Sequence, residues 1–378
     1  MTRKIVYLTG TRADFGLMLP TLQTIAARSR LEIEVVVTGM HLSSRYGLTV
    51  DEVRASGLTI GSLIPVDVDQ DNGFAMAGAA AGVARGMADY IAQRRPHACL
   101  LLGDRWEMLA TAMVAALAGV PIFHLCGGER SGSVDDSIRH SVSKLAHIHA
   151  VATSKSRDRL LAMGEEAWRI HVVGTPGLVG LNRLATFNRA QLAYKYSLKT
   201  DAPIALVLFH PVVQDADVAG SQMAAVLTAV NFKGFQIICL MPNSDAGSNA
   251  IREAIHSFDR IIAAIRIVTH LPRQIYISWL ASADLLVGNS SSGIIEAASF
   301  GIPVINVGDR QVDRERNQNT IDCKPDIDSV VSAIEMIKKL SCAGDQNIYG
   351  DGLTDVRVAD VIEDTTIDSK LLKKRLVY

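Results

Sequence analysis

The groups that proton transfer and anion binding require are concentrated in a few short stretches of this sequence. The densest is His124-Leu-Cys126-Gly-Gly-Glu129-Arg-Ser-Gly-Ser-Val-Asp135-Asp136-Ser-Ile-Arg139-His140, at the end of the apolar run 120–125. Asp135 and Arg139, and one residue round Asp136 and His140, have the i,i+4 spacing that places them on neighbouring faces of one helix start. Titratable groups converging in this way could remove and return a proton. The same residues also read as an Asp-capped helix with an ordinary Asp–Arg pair. Their position after a Gly-Gly loop at a strand end favours chemistry. A second carboxylate, Asp104, follows the apolar run 98–102 with Arg105 beside it, where a tuned pKa would suit base work. There a helix N-cap with a surface ion pair is the plainer alternative.

Anion binding is the reading of residues 284–310, Asp-Leu-Leu-Val-Gly-Asn-Ser290-Ser291-Ser292-Gly293-Ile-Ile-Glu296 through Gly301-Ile-Pro303 to Arg310. Small residues let a backbone approach a ligand, and the free N–H groups of a helix start suit a phosphate. Glu296 is expected in the first turn of that helix, able to accept from both hydroxyls of a ribose. The first strand ends in Thr9-Gly10-Thr11-Arg12-Ala13-Asp14-Phe15-Gly16. Arg12 there could meet a diphosphate bidentately, or lie solvated beside a helix capped by Asp14. His210-Pro211 ends another strand, Pro242-Asn243-Ser244-Asp245 a third and His270-Leu271-Pro272 a fourth. Each of these three reads about as well as a plain turn.

Positioning such groups needs strand ends. Apolar strand-like runs at 4–9, 33–38, 97–102, 120–125, 147–153 and 171–173 alternate with helical patterns at 17–27, 73–94 and 107–118. After the polar segment 181–200 a second series begins at 204–209, 236–241, 265–268, 284–287 and 304–307. The pattern predicts an α/β chain of two doubly wound, Rossmann-like domains facing a cleft: residues 1–180 and 181–359, with the amphipathic tail 360–378 packing back on the first.

Lys plus Arg number 38 against 39 Asp plus Glu, a net charge of −1 that gives no basic excess for nucleic acid or a membrane surface. The start lacks a signal-peptide core, and the longest apolar run, 110–123, is too short to span a bilayer, so a cytoplasmic protein is expected. The five cysteines are scattered without a CxxC pair, as expected of reduced thiols. GxGxxG, HExxH, a Walker A lysine and a Gly-x-Ser-x-Gly elbow are all absent. No metal site and no cofactor are expected.

Taken in order, the motifs resemble those of the hydrolysing UDP-N-acetylglucosamine 2-epimerases of sialic-acid and related nonulosonic-acid synthesis. They are Thr-Gly-Thr-Arg-Ala-Asp-Phe-Gly at 9–16, Val-Thr-Gly-Met-His at 37–41, Gly-Asp-Arg-Trp at 103–106 and Gly-Gly-Glu…Asp-Asp-Ser-Ile-Arg-His at 127–140. Phe-His-Pro-Val at 209–212, Asn-Ser-Asp-Ala-Gly-Ser at 243–248, Gly-Asn-Ser-Ser-Ser-Gly at 288–293 and Gly-Asp-Arg-Gln at 308–311 complete the set. The resemblance implies a glycosyltransferase-B-like fold, a homodimer or homotetramer, and elimination of UDP from UDP-GlcNAc followed by hydration of the glycal to N-acetylmannosamine. The same chemistry on a UDP- or GDP-linked 2,4-diacetamido-trideoxy sugar, a glycosyltransferase of this fold and an inactive nucleotide-sugar sensor are the alternatives. By motif, Asp104, Glu129, Asp135, Asp136 and His210 are the catalytic candidates. Arg12, His41, Arg105, Arg139, His140, Asn243, Ser290, Ser291, Ser292, Gly293, Glu296 and Arg310 are the substrate-binding ones. The resemblance departs at Cys126, a position that is Glu in some members and His in others.

Overall fold

The computed structural model describes residues 2–377 apart from 71, 133, 244, 263, 270 and 338–346. Ser244, His270 and Cys342 therefore lie outside the described residues. Within these bounds the chain forms two parallel sheets. The first contains β1 (Arg3–Thr9), β2 (Leu31–Thr38), β3 (Thr59–Ile64), β4 (Ala98–Leu102), β5 (Ile122–Leu125), β6 (Ile148–Val151) and β7 (Ile170–Val172), in spatial order 3-2-1-4-5-6-7. The second contains β8 (Ile204–Leu208), β9 (Gln236–Leu240), β10 (Ile265–Val268), β11 (Leu285–Gly288), β12 (Val304–Val307) and β13 (Thr320–Cys323), in order 10-9-8-11-12-13.

The central strands are unbroken apolar runs because helices cover both faces of each sheet. Every residue of Ala98-Cys-Leu-Leu-Leu102 is buried, as is every residue of Ile204-Ala-Leu-Val-Leu208. On one face of the first sheet Tyr7, Val35 and Leu100 pack against Phe15, Met18 and Leu22 of the helix Arg12–Ala26. On the other, Leu8 and Leu101 pack against Met87 and Met108 of the helices Gly73–Arg94 and Trp106–Leu117.

β3 and β13 escaped the sequence reading. Both are edge strands of mixed burial, and β3 pairs with β2 through a register shift between Val35 and Val36. Half-exposed edges carry no continuous apolar signal. The polar segment 181–200 holds two short helices, Leu181–Leu184 and Arg189–Lys195, the second begun by an Asn188/Gln191 capping box. Leu181 and Leu192 pack in the core of the second sheet. The chain crosses back at the helix Thr354–Asp364, whose Val358, Ala359 and Ile362 join the core around the Arg12–Ala26 helix.

In each sheet the strand order reverses once, between β1 and β4 and between β8 and β11. Such a switch point leaves a crevice outside the carboxyl ends of the two strands, where ligands of open parallel sheets sit. The two crevices open onto one cleft.

Candidate active site

From the first switch point the cleft receives Thr11, Arg12 and Asp14 after β1 and Gly103, Asp104 and Arg105 after β4. From the second it receives His210 after β8 and Ser290 and Ser291 after β11. The loop after β5 adds Cys126, Glu129, Asp135 and Arg139; the turn after β12 adds Arg310, Gln311 and Arg314.

Thr11 and Asp14 form a capping box, with Asp14 also accepting from the Gly10 and Thr11 amides at 3.1 and 2.8 Å. Arg12 is thereby fixed as the first residue of the helix and faces the cleft, without an ion pair among the described residues. The helix is capped as the plainer reading has it, but Arg12 is partly buried at the cleft wall rather than solvated. Burial pulls the Arg12 guanidinium down to about 10, with Glu52 opposing.

Arg139 organises the other wall. It is 1% exposed and ion-pairs with Asp104 and Asp136, while its Nη1 donates to the Glu129 carbonyl at 3.0 Å. Burial would raise Asp104, but Arg139, Arg314 and Arg310 outweigh it and hold its carboxyl below the usual range. Asp135 points the other way along the helix start and meets Arg310 of the second domain at 3.4 Å. Glu129 pairs through Oε2 with Arg314, leaving Oε1 buried and without a hydrogen-bond partner among the described residues. Arg105 is tied to the buried Glu107, Nε to Oε2 at 3.0 Å, and reaches Asp245 at 3.6 Å.

His210 receives the Asn243 amide N–H on Nδ1 at 3.3 Å, which leaves the ring hydrogen on Nε2. Burial, then Arg310 and Arg105, press its pKa down to about 3, so the ring is neutral. Cys126 adopts φ 60°, and burial, reinforced by Glu129, pushes its thiol well up. A neutral thiol does no carboxylate work at neutral pH.

Several expected site residues lie elsewhere. Asp136 is consumed structurally: Oδ1 accepts from the Ser131 amide and hydroxyl, both at 2.8 Å, and Oδ2 from the Gly132 amide. His140, half-buried on the same helix, is not among the residues lining the cleft. His41 is buried behind the β1 turn, its Nε2 2.9 Å from Thr9 Oγ1 and its Nδ1 2.8 Å from Thr49 Oγ1. Ser292 bonds Tyr276, and Gly293 faces Leu286 and Val304. The expected helix there spans only Ser291–Ile295, so Glu296 is its C-cap rather than a first-turn residue. Glu296 is 1% exposed and ion-paired with Arg273. A helix this short contributes little dipole, so the positive charge of the cleft comes mainly from its arginines.

The sequence reading missed Arg314, Gln311, Arg252, Tyr46 and Thr175, all of which line the cleft. Arg314 follows Arg310 in a post-strand loop, and that repeat of arginines after a buried strand was the available signal. Tyr46, under the Arg252 guanidinium at 5.3 Å, had none.

A family described as UDP-N-acetylglucosamine 2-epimerase matches residues 23–363. The UDP-N,N'-diacetylbacillosamine 2-epimerase (hydrolyzing) of Legionella pneumophila is 42% identical over 100% of both chains. The UDP-N-acetylglucosamine 2-epimerase of Neisseria meningitidis serogroup B is 34% identical over 99% of each. In fold, the chain resembles the crystal structure of UDP-GlcNAc 2-epimerase from Neisseria meningitidis bound to UDP-GlcNAc. The TM-score is 0.83 over 96% of this chain and 100% of that one, at 14% identity. Two switch-point sheets closing on a cleft of arginines and carboxylates, a family match across most of the sequence and full-length relatives lead to one conclusion: the chain belongs to the UDP-N-acetylglucosamine 2-epimerase family.

Proposed function

We propose that the protein is a hydrolysing 2-epimerase of a UDP-linked 2-acetamido sugar, and that this sugar is a 2,4-diacetamido hexose of the bacillosamine type. The observation that carries the choice of sugar is the 42% identity, across both whole chains, to the Legionella enzyme named for that substrate. UDP-N-acetylglucosamine, yielding free N-acetylmannosamine, is the second reading, favoured by the 34% identical Neisseria relative.

In this reading the nucleotide lies against the second sheet and the sugar against the first. The diphosphate meets Arg310 and Arg12, with the Ser290 and Ser291 loop beneath it. Neutral His210 donates from Nε2 to a phosphate oxygen without adding charge. Asp104 and Asp135 share the acid and base roles around C2. One carboxylate takes the C2 proton; that electron pair forms the C1–C2 double bond as the C1–O bond breaks and UDP carries the other pair away. Water then adds at C1 while a proton returns to C2 from the opposite face, which inverts that centre. Arg139 fixes Asp104, and Arg314 fixes Glu129, so neither carboxyl wanders.

The test is incubation with each UDP-sugar in D2O, followed by proton and phosphorus NMR. Expected are UDP and a free 2-epimerised sugar deuterated at C2, with Asp104→Asn slower by about 10²–10⁴-fold. Turnover of UDP-N-acetylglucosamine alone would select the second reading. Failure of both sugars to release UDP would overturn the proposal.

A further inference from the structure

Arg310 is asked to bind a diphosphate, yet it is already engaged. Its Nη2 donates to Asp135 Oδ2 at 3.4 Å and its Nη1 to the Asn289 carbonyl at 3.3 Å. The first contact spans the cleft, from the turn after β12 to the helix Val134–Leu145 after β5. A guanidinium presents its donors in a fixed planar fork. A diphosphate that takes the Nη1–Nη2 edge of that fork bidentately competes with the Asn289 carbonyl and Asp135 for the same two nitrogens.

We infer that Arg310 restrains Asp135 in the empty cleft and releases it as a base only when a nucleotide diphosphate takes the guanidinium. The inference rests on the functional reading above and makes Arg310 a positioning residue for Asp135 as well as a phosphate ligand. Two changes act in the same direction on binding. Asp135 loses its cation, and the dianionic diphosphate arrives nearby; each favours the protonated carboxyl, and so a stronger base. When UDP departs the pair re-forms, and the released sugar no longer faces an armed carboxylate.

The surrounding charges are mostly paired among themselves, Asp104 excepted. Arg139 and Asp136 stand on the same helix as Asp135 and are paired to each other. Asp104, after β4, is held ionised by Arg139, Arg314 and Arg310, so loss of Arg310 raises it too. The wild-type limb separation belongs to Asp135 only if it persists in Asp104→Asn, and its disappearance there would overturn the inference. Glu129 and Arg314 are paired to each other. His210, after β8, is neutral throughout the working range. A nucleotide sugar is a diphosphate diester and does not titrate there either.

The experiment compares acid limbs. That of kcat/KM reports the free enzyme and that of kcat the substrate complex. For the wild type the limb in kcat should lie higher than that in kcat/KM by about 1–3 pH units, the shift an opposite charge at contact produces. In Arg310→Gln, slower overall, the kcat/KM limb should move up towards the kcat limb. Coincident limbs in the wild type would overturn the inference, as would a kcat/KM limb in Arg310→Gln unmoved from its wild-type position. If Arg310→Gln fails to fold, the wild-type separation and its persistence in Asp104→Asn decide. Absence of any UDP release removes the functional reading and this inference with it. Turnover with coincident limbs removes only the inference.

Discussion

At Cys126 the backbone is left-handed, φ 60°, and the thiol lies 3.9 Å from the Thr175 hydroxyl at the wall of the cleft. An acid or base here would have to ionise near neutrality. Burial instead keeps the thiol protonated, and the neighbouring Glu129 adds to that. In the proposed reaction, proton transfer then falls to the carboxylates that remain in the cleft once Asp136 is committed to Ser131, Gly132 and Arg139. Cys126→Ser preserves size and hydrogen bonding while removing the thiol, so kcat should stay within a few-fold of wild type. Alkylation by iodoacetamide at pH 8 should be far slower than for an exposed cysteine, because the nucleophile is the thiolate. A loss of a hundredfold in kcat, or rapid alkylation that inactivates, would give the thiol a chemical role.

The elements that carry these groups are held in register at the switch points, and Gly288 is where the second one is most constrained. It ends β11 at φ 147°, and a Cβ there would stand 1.8 Å from the Leu208 carbonyl of β8. Gly288→Ala has to separate the two strands whose ends present His210 and Ser290. A cost of about 3 kcal/mol or more is expected from strain and lost strand pairing, or a fall in Tm of roughly 4 °C or more. An unchanged melting temperature would mean that the strands do not approach as described. The apolar centres of both sheets were legible in the sequence because parallel strands buried on two faces read as continuous Leu, Ile and Val. The βα turns after β1, β4, β5 and β11 were legible because glycine and polar or charged residues follow such runs directly, and the turn after β8 because His210-Pro211 does. What could not be read was direction. Asp135 and Asp136 are neighbours in sequence, yet one faces Arg310 across the cleft and the other caps its own loop. Glu296 was misplaced because the helix is capped at Ser290: six residues on, Glu296 is past the first turn, and the helix has already stopped at Ile295. Thr175 reaches the cleft from the crossing between the sheets, a proximity that no local pattern encodes.

Across the whole molecule, the two sheets are joined by charged contacts. Arg314 meets Glu129, Arg310 meets Asp135, Arg105 approaches Asp245, and Arg273 donates to the Gly177 carbonyl at 2.9 Å. Neutral histidines lie among the strands and at their ends, His124 and His147 buried and His210 half-buried: His124 and His210 at about 3, His147 at about 4. Burial is the first cause in each case. In the unfolded chain these rings titrate near their ordinary value of about 6.5. A folded value below the unfolded one means that, as pH falls through about 6.5, the unfolded chain takes up protons that the folded chain refuses. The stability contributed is thus full above that pH and declines until the folded values are reached, at about 1.4 kcal/mol per pH unit for each ring. Three rings titrating together make the slope about 4 kcal/mol per unit between pH 6 and pH 4.5. Glu165, pulled down to about 2 by its bonds to His149 and Lys374 against burial, withdraws its own contribution at still lower pH. Urea midpoints should accordingly be level from pH 8 to pH 7 and fall steeply below pH 6. His124 makes the fall consequential for the site, since its Nε2 lies 2.7 Å from the Gly103 carbonyl that precedes Asp104. Midpoints that stay level down to pH 4.5 would show that these rings do not stay neutral in the folded protein.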